Sequence, residues 1–587
     1  MKKNILISFL LLWVLVHPLQ AQTRIQNKKQ LAVLGNTAPE SVYIHFNDSF
    51  LLTGEYLYYS FYCLNTETSL LSGLSKIGYV ELISANGDVI FKHKLRLKNG
   101  VGQSDYFVPT SLKSGSYKLV GYTQWMQNGT SDLFFQNDIH IINPYQGNQF
   151  VTNNIEKEGL ETKQSLTNKP NTRSTDQDNG VVLQLKDSVF KKRSKVEMLL
   201  KSLDTTFSNG IYSISVRKKN SFKSPAKTNF QGLNYLKQPK YLFNNVNASY
   251  YLPELRGSLI KGTISSNNND KPIERLKVAM SIPGEKFYFG IAYTNDRGIF
   301  YQNIDSNFAN NKGIVQILNE NTNDYQIKLE KHKSPQLDNL VFSNLYLDSL
   351  MRKDILQRSI HNQVENAYFL FKPDSILSTP ANNILSNKAY KSYKLDDYSR
   401  FELLEETIFE IVKDVSIKKV SKETSALFVQ GYNYNTNTGI LPLLLLDGIL
   451  IQNHDQILNM KSAGIDEIVV YRDQFIVGPS VFQGAILLKS RNLDQEGNYD
   501  TFGSTYELLS TQLTSKKYFN QIYDVNTKSK IPDDRLQLLW LPNLTTNENE
   551  AVINFYTSDI KGAFEITIQG ISSNGKTTSI SRTVVVE

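Results

Sequence analysis

Between Ser41 and Pro144 apolar and polar residues alternate in short runs, among them Val42-Tyr43-Ile44-His45-Phe46, Tyr79-Val80-Glu81-Leu82-Ile83 and Tyr117-Lys118-Leu119-Val120-Gly121-Tyr122. A period of two places one set of side chains on one face of a strand and is useless to a helix. Asn86-Gly87-Asp88, Asn99-Gly100 and Lys113-Ser114-Gly115 separate the runs as turns. About seven strands at this spacing predict a β-sandwich of about 100 residues. The 32 Tyr and 30 Phe of the chain also favour pleated, half-buried surfaces over helices.

The same pattern, interrupted, organises the rest of the chain. Residues 146–180 are rich in Asn, Thr, Lys, Gln and Ser and read as a polar linker. A second, smaller sandwich is expected over 181–253, where Ile211-Tyr212-Ser213-Ile214-Ser215-Val216 alternates cleanly, and a third over 254–335. The period then changes. Leu340, Leu345, Leu347, Leu350, Ile355, Ile360 and Val364 suit a helix running from Leu337 to Tyr368, so 336–395 reads as a helical connector. Within 396–495, Asp396 or Asp397 is placed to cap a helix through Phe401, Leu404, Ile408, Ile411 and Val412. The buried run Leu441-Pro442-Leu443-Leu444-Leu445-Leu446 then ends in the Asp447-Gly448 turn, and strands follow at Ile465–Tyr471 and Ala485–Lys489, making a small α/β unit. A final sandwich is expected over 496–587. The fold class is therefore mainly β and multidomain, with serial immunoglobulin-like sandwiches, a helical connector and one small α/β domain. A length of 587 residues fits about four such domains.

Lys2-Lys3 precede an apolar run from Ile5 to Val16, then Pro18 and Ala21, which predicts a secretory signal peptide over residues 1–21 and an exported mature chain. That run is too short to span a bilayer, and no transmembrane segment is expected in the mature chain. The single cysteine, Cys63, closes no intramolecular disulfide and lies in a strand pattern, where it reads as a small buried apolar residue. The formal charge of +8 falls to +6 without Lys2 and Lys3, with both signs dispersed, so no nucleic-acid partner is implied.

Three segments resemble known families. Val42–Ser49, Thr53-Gly54-Glu55, Val80-Glu81-Leu82, Gly115–Leu119 and Tyr122–Met126 resemble the MG2-type domain of bacterial alpha-2-macroglobulin-like proteins, which covers residues 22–145 and adds a macroglobulin-like character to the sandwiches. Gly257–Phe300, with Gly262-Thr263-Ile264 and Thr294-Asn295-Asp296-Arg297-Gly298, is similar to a carboxypeptidase-regulatory-like sandwich, which covers 254–335. Leu443–Gly448, Asp466–Tyr471 and Gly484–Leu488 are similar to the plug domain of TonB-dependent outer-membrane receptors, covering 396–495. A receptor barrel of twenty strands needs roughly 200 residues, and only 496–587 follow this unit, so the resemblance does not imply transport. It implies a barrel-less, plug-bearing protein of bacterial envelopes. Asp447, Gly448, Asp466, Glu467, Tyr471 and Gly484 are the residues it assigns to a plug-like docking segment.

No pattern points to chemistry. The Gly-Cys-Gly-Glu-Gln context of a thioester is missing around Cys63, the seven histidines show no metal-ligand spacing, and no Gly-x-Ser-x-Gly elbow occurs. His45 and His140 read as satisfied sandwich histidines, and Trp125 and Trp540 as core filling. The acidic set Asp447, Asp455, Asp466 and Glu467 matches no calcium loop. The expectation is a non-enzymatic interaction or accessory protein of the periplasm or outer-membrane periphery, without catalytic residues, metal or cofactor. Its partners would be envelope proteins: an outer-membrane barrel, TonB-linked machinery or a secretion assembly. Two alternatives stand beside it. One is a noncovalent macroglobulin-like protease inhibitor with 146–180 as bait, and the other is a hydrolase whose site forms at a domain junction.

Overall fold

The computed structural model describes residues 28–146, 177–178, 180–202, 210–220, 224–230, 241, 243, 250–267, 271–306, 308, 311–320, 324–330, 334–335, 337, 340–347, 351–377, 384–386, 388–432, 439–491, 505–523, 531–546 and 550–587. The expected signal peptide and nearly all of the polar linker lie outside them. The protein is mainly β, as its alternation requires, and its strands are assembled into β-sandwiches and one mixed unit.

After a short helix α1 (Lys28–Gly35), the first sandwich pairs a three-stranded sheet with a five-stranded one. The first sheet runs Glu40–Phe46, Tyr56–Asn65, Val101–Phe107. The second runs Phe50–Leu52, Phe135–Ile142, Gly115–Tyr122, Ile77–Ser84, Val89–Arg96 in spatial order. Val42, Ile44, Phe61, Tyr79, Leu119 and Ile139 fill the space between them, each at most 1% exposed. Cys63 belongs to this core, where burial raises its thiol pKa well above the ordinary value and keeps it inert. Trp125 is also enclosed, its indole N–H donating to the Ala38 carbonyl at 3.1 Å.

The second sandwich corrects the linear reading. Residues 181–253 and 496–587 do not make two sandwiches, because their strands interleave in one. Lys195–Ser202 lies between Val181–Leu185 and Glu550–Tyr556, and Ile211–Lys218 lies between Gly562–Ile571 and Gln537–Thr545. Met198 and Ile214 share their core with Leu538, Phe555, Ile566 and Val584. Neither segment has enough apolar faces to close a sandwich alone, so each serves as the other's second half. The 496–587 region also lends Thr505–Leu508 to the edge of the third sandwich, next to Lys312–Ile317.

The third sandwich, begun by Ser258–Ser266, carries the mixed unit against one side. That unit is a five-stranded sheet ordered Tyr390–Lys394, Ile465–Val477, Ser480–Ser490, Leu443–Leu446, Ile449–Leu450. Phe287, Phe289 and Ile291 of the sandwich pack on Leu443, Leu445, Val469 and Leu487 of one sheet face. The helices α3 (Leu404–Ile411) and α4 (Asp455–Leu458), with the hairpin Val415–Lys419/Ser425–Val429, cover the other. The first strand lies before residue 396, which moves the start of this unit into the expected connector.

The connector is helical only in part. Helix α2 spans Met351–Ala367, whereas 340–347 run as an extended strap. Leu337 and Leu340 pack on the first core, and Leu345 and Leu347 seal Phe50, Leu52 and Ile142 at the sheet edge. The Ser343 carbonyl accepts from the Ser116 hydroxyl at 2.6 Å, replacing a helical bond with a tertiary one. Nor do Asp396 and Asp397 cap α3. The residue before that helix is Leu403, and Asp396 instead pairs with Arg400 at 2.6 Å and with Arg491.

Interleaving makes the C-terminal strands a condition for the second sandwich. A chain ending at residue 495 should lose protection over 181–218 while 40–142 stays protected, read by amide hydrogen exchange; equal protection of both would contradict the shared core.

Candidate functional site

The first sandwich, the second sandwich and α2 meet around four buried charges. Gly54, at φ +91°, turns the chain between strands ahead of Glu55, and Glu55 and Asp48 are both buried. Arg217, the end of the Ile211–Arg217 alternation, donates from Nε to Asp48 at 2.9 Å and from Nη2 to Glu55 at 2.8 Å. Arg358 of α2 bonds both Glu55 oxygens at 2.6 Å and the Phe50 carbonyl at 2.8 Å. Asn362, one turn further along α2, donates to Glu55 at 3.0 Å. Two charges of each sign, with side chains at most 9% exposed, balance one another inside the fold.

Burial by itself would raise the Asp48 and Glu55 pKa values, but Arg217 and Arg358 outweigh it, aided at Asp48 by Lys227, and hold both below the ordinary carboxylate values. Nearby, His45 is pushed down to about 3 by burial and by Lys227. Neutral at pH 7, it lies 2.6 Å from the Ser213 hydroxyl and 3.2 Å from that of Thr567, fastening the first sandwich to the second.

A second junction joins the first and third sandwiches through Glu254. It accepts from the Tyr79 hydroxyl at 2.9 Å and from the Leu259 N–H at 2.9 Å, while its carbonyl accepts from the Lys76 N–H at 2.7 Å. Burial pushes its carboxyl up to about 7, against Lys94, the Leu259 N–H and the Tyr79 hydroxyl.

The six residues assigned to the docking segment fall into two groups on the mixed sheet. Asp447 folds back on Ser490, accepting from its N–H at 2.9 Å and its hydroxyl at 2.6 Å. Gly448 sits at φ +90°, where an added Cβ would lie 2.3 Å from Phe287 of the third sandwich. Glu467 is bound by Lys489 and Ser392, and Asp466 is exposed. Tyr471 and Gly484 lie further along; Tyr471 faces Tyr390 in register, with ring centroids 5.5 Å apart. Gly484, at φ +78°, gives up a side chain so that Val429 can close in. Asp447, Gly448 and Gly484 are thus fasteners inside the protein. Among the described strands, none pairs with the outer side of the sheet edge beside Tyr471.

That edge is Tyr390–Lys394. Its one partner among the described strands is Ile465–Val477, and Tyr390, Lys391, Ser392 and Lys394 are all exposed. The opposite edge, Ile449–Leu450, is covered by the third sandwich: the Leu450 carbonyl accepts from Gln316 at 3.1 Å. The four-charge cluster was not among the sequence candidates. Its acids were visible in Asn47-Asp48-Ser49 and Gly54-Glu55, but Arg217 lies 169 residues from Asp48 and Arg358 lies 303 from Glu55. Among the described residues no group of three or more metal-ligating side chains occurs.

No protein-family model matches the chain, and no curated protein matches it. Among solved structures, alpha-2-macroglobulin from Salmonella reacted with methylamine aligns over 94% of the chain at 8% identity and a TM-score of 0.23. Escherichia coli alpha-2-macroglobulin activated by porcine elastase aligns over 93% at 7% identity and 0.23. The chain spans 40% and 44% of those two proteins. A tetra-tandem repeat from the extending region of a large adhesion protein aligns over 94% at 8% identity and 0.14. Scores this low carry no argument about activity.

Two outcomes follow from the charges. Arg358→Ala leaves Asp48 and Glu55 with Arg217 as their one shared guanidinium and should cost about 3–5 kcal/mol in denaturant unfolding. The pH dependence has two limbs. Lowered carboxylate values in the fold mean that the Asp48 and Glu55 contribution is present above the ordinary values of 3.8 and 4.5 and is lost as pH falls through and below them. Glu254 has the opposite sign: its contribution is present below 4.5 and lost as pH rises through about 7. Glu254→Gln should flatten that upper limb, which is worth about 3 kcal/mol, and leave the acid limb in place.

Proposed function

We propose that this protein is a non-enzymatic interaction protein of the cell envelope, and that its mixed α/β unit docks a partner by accepting an extended strand at the open edge Tyr390–Lys394. One observation carries the reading. The sheet of this unit is covered on both faces and along its Ile449–Leu450 edge, while Tyr390–Lys394 offers a row of outward backbone groups. An open edge is a ready template for strand addition, with main-chain hydrogen bonds for affinity and side chains for selection.

The edge is also selective. Lys388, Lys391 and Lys394 are exposed along it, so two copies of this edge repel one another, whereas a partner strand bearing acidic residues is favoured. Tyr390, 62% exposed beside Tyr471, supplies apolar area for that strand. An outer-membrane barrel, TonB-linked machinery and a secretion assembly are the envelope partners that this reading looks for. The bait of the inhibitor alternative, 146–180, lies almost entirely outside the described residues.

The test is photocrosslinking in the native envelope from Tyr390 and from Lys394, with exposed Glu197 as control. A discrete adduct from the two edge positions that disappears when Lys388 and Lys391 are both changed to Glu is the expected result. Equal labelling from Glu197, or an adduct indifferent to charge reversal, would sink the docking reading.

A further inference from the structure

The four-charge cluster separates two hollows that both touch Arg217 and Leu536. One is a cavity of about 650 Å³ that reaches Lys219, Gln357, His361 and Lys561, and its charged lining is mostly cationic. The other is a groove of about 120 Å³ whose wall holds a row of aromatic rings: Phe369, Tyr56, Tyr58 and Trp540. Their centroids are 5.9, 5.6 and 6.0 Å apart in that order, and successive planes differ by 13°, 20° and 26°. Near-parallel rings at that spacing are displaced sideways, since faces in contact approach within about 4 Å, and Phe369, at the end of the row, has a neighbour in the row on one side only. The row descends from Phe369, 42% exposed, to Trp540, 4% exposed. The Trp540 N–H is buried and makes no hydrogen bond among the described residues.

The polar groups beside the rings define the rest of the ligand. The groove lining carries Glu55, Glu365, Asp374 and Asp534 against Arg217, Lys372 and Arg535. Each acid is already engaged: Glu365 by Lys372 at 2.7 Å, Asp374 by the Phe519 N–H at 2.9 Å, Asp534 by His361 at 2.9 Å, and Glu55 within the cluster. A carboxylate has about four lone-pair sites, so one engaged in this way still accepts from a neutral hydroxyl. With four acids against three cations, the groove has no cation excess to draw a polyanion such as nucleic acid. Rings lying in a row also differ from the enclosing cage that holds a quaternary ammonium.

Flat apolar faces bordered by hydroxyl edges are the two surfaces of a pyranose. We propose that this groove is a binding site for a neutral saccharide, seated on Phe369 with its hydroxyls toward Asp374 and Asp534. The site lies on the first sandwich, α2 and the residues after it, and the C-terminal segment. It is independent of the edge Tyr390–Lys394.

The test is titration calorimetry of the full mature chain with short neutral gluco-, manno- and N-acetylglucosamine oligosaccharides, a sulfated oligosaccharide and a trimethyl-lysine peptide. Saturable binding of a neutral oligosaccharide is expected, weakened about two- to tenfold by Phe369→Ala. Phe369 is half exposed, and an unchanged circular dichroism melt shows that the variant is folded. Tyr56→Phe keeps the ring and should bind as the parent does. Silence across the neutral panel, binding confined to the sulfated or trimethylammonium probe, or unchanged affinity in folded Phe369→Ala would each overturn the assignment. Loss of crosslinking at residues 390–394 would leave it untouched.

Discussion

Two arginines and two acids, buried together, set the arrangement of the protein. Asp48 and Glu55 come from the first sandwich, Arg217 from the second and Arg358 from helix α2, so three elements share one charge balance. Such a cluster adds little net stability compared with an apolar plug of the same size, because desolvation consumes most of the Coulomb gain. What it adds is intolerance of error. An apolar interface can slide by a residue at small cost, but a guanidinium moved one residue away leaves two buried carboxylates sharing the one that remains. The sandwiches are therefore fixed in register with one another by electrostatics as well as by packing.

That fixity bears on both functional readings. Glu55 and Arg217 form one end of the aromatic groove, and α2, held by Arg358 and Asn362, leads directly to Phe369. A site for a weakly held, hydroxyl-rich ligand needs walls that do not have to be ordered on binding, and the cluster supplies them. The mixed unit gains its rigidity differently, by pressing a sheet face against Phe287, Phe289 and Ile291. Its open edge is presented from a stiff base, which is the arrangement strand addition favours.

The sequence made much of the fold legible because alternation reports burial locally. Val42–Phe46, Tyr79–Ile83 and Ile211–Val216 all form strands where the pattern places them. Partnership was less legible, since nothing in Ile211–Arg217 says that its neighbours will be Gly562–Ile571 and Gln537–Thr545 rather than nearby strands. Helical spacing misled over 340–347, where Leu340, Leu345 and Leu347 anchor a non-helical strap to two cores and tertiary contacts override the period. At the site, the Asp447-Gly448 turn and the Ile465–Tyr471 strand form where the pattern places them, and Asp447 and Gly448 make their contacts within the fold. The charge cluster escaped because a charged residue in a strand or helix reads as solvated until its distant partner is known, and the aromatic row escaped because its rings come from three separate stretches of chain.

The interleaved sandwich also sets the order in which the molecule can come into being. The Gly210 carbonyl waits for the N–H of Thr546, 336 residues later in the chain. A polypeptide emerging N-terminus first completes its first sandwich early, then carries Ile211–Lys218 and the far edge of Lys195–Ser202 without their partner strands while the third sandwich and mixed unit are made. Exposed edges of that kind attract other chains. For most of its synthesis this protein therefore resembles a client awaiting its own last strands, and the cell that makes it has to keep company with those edges until they arrive.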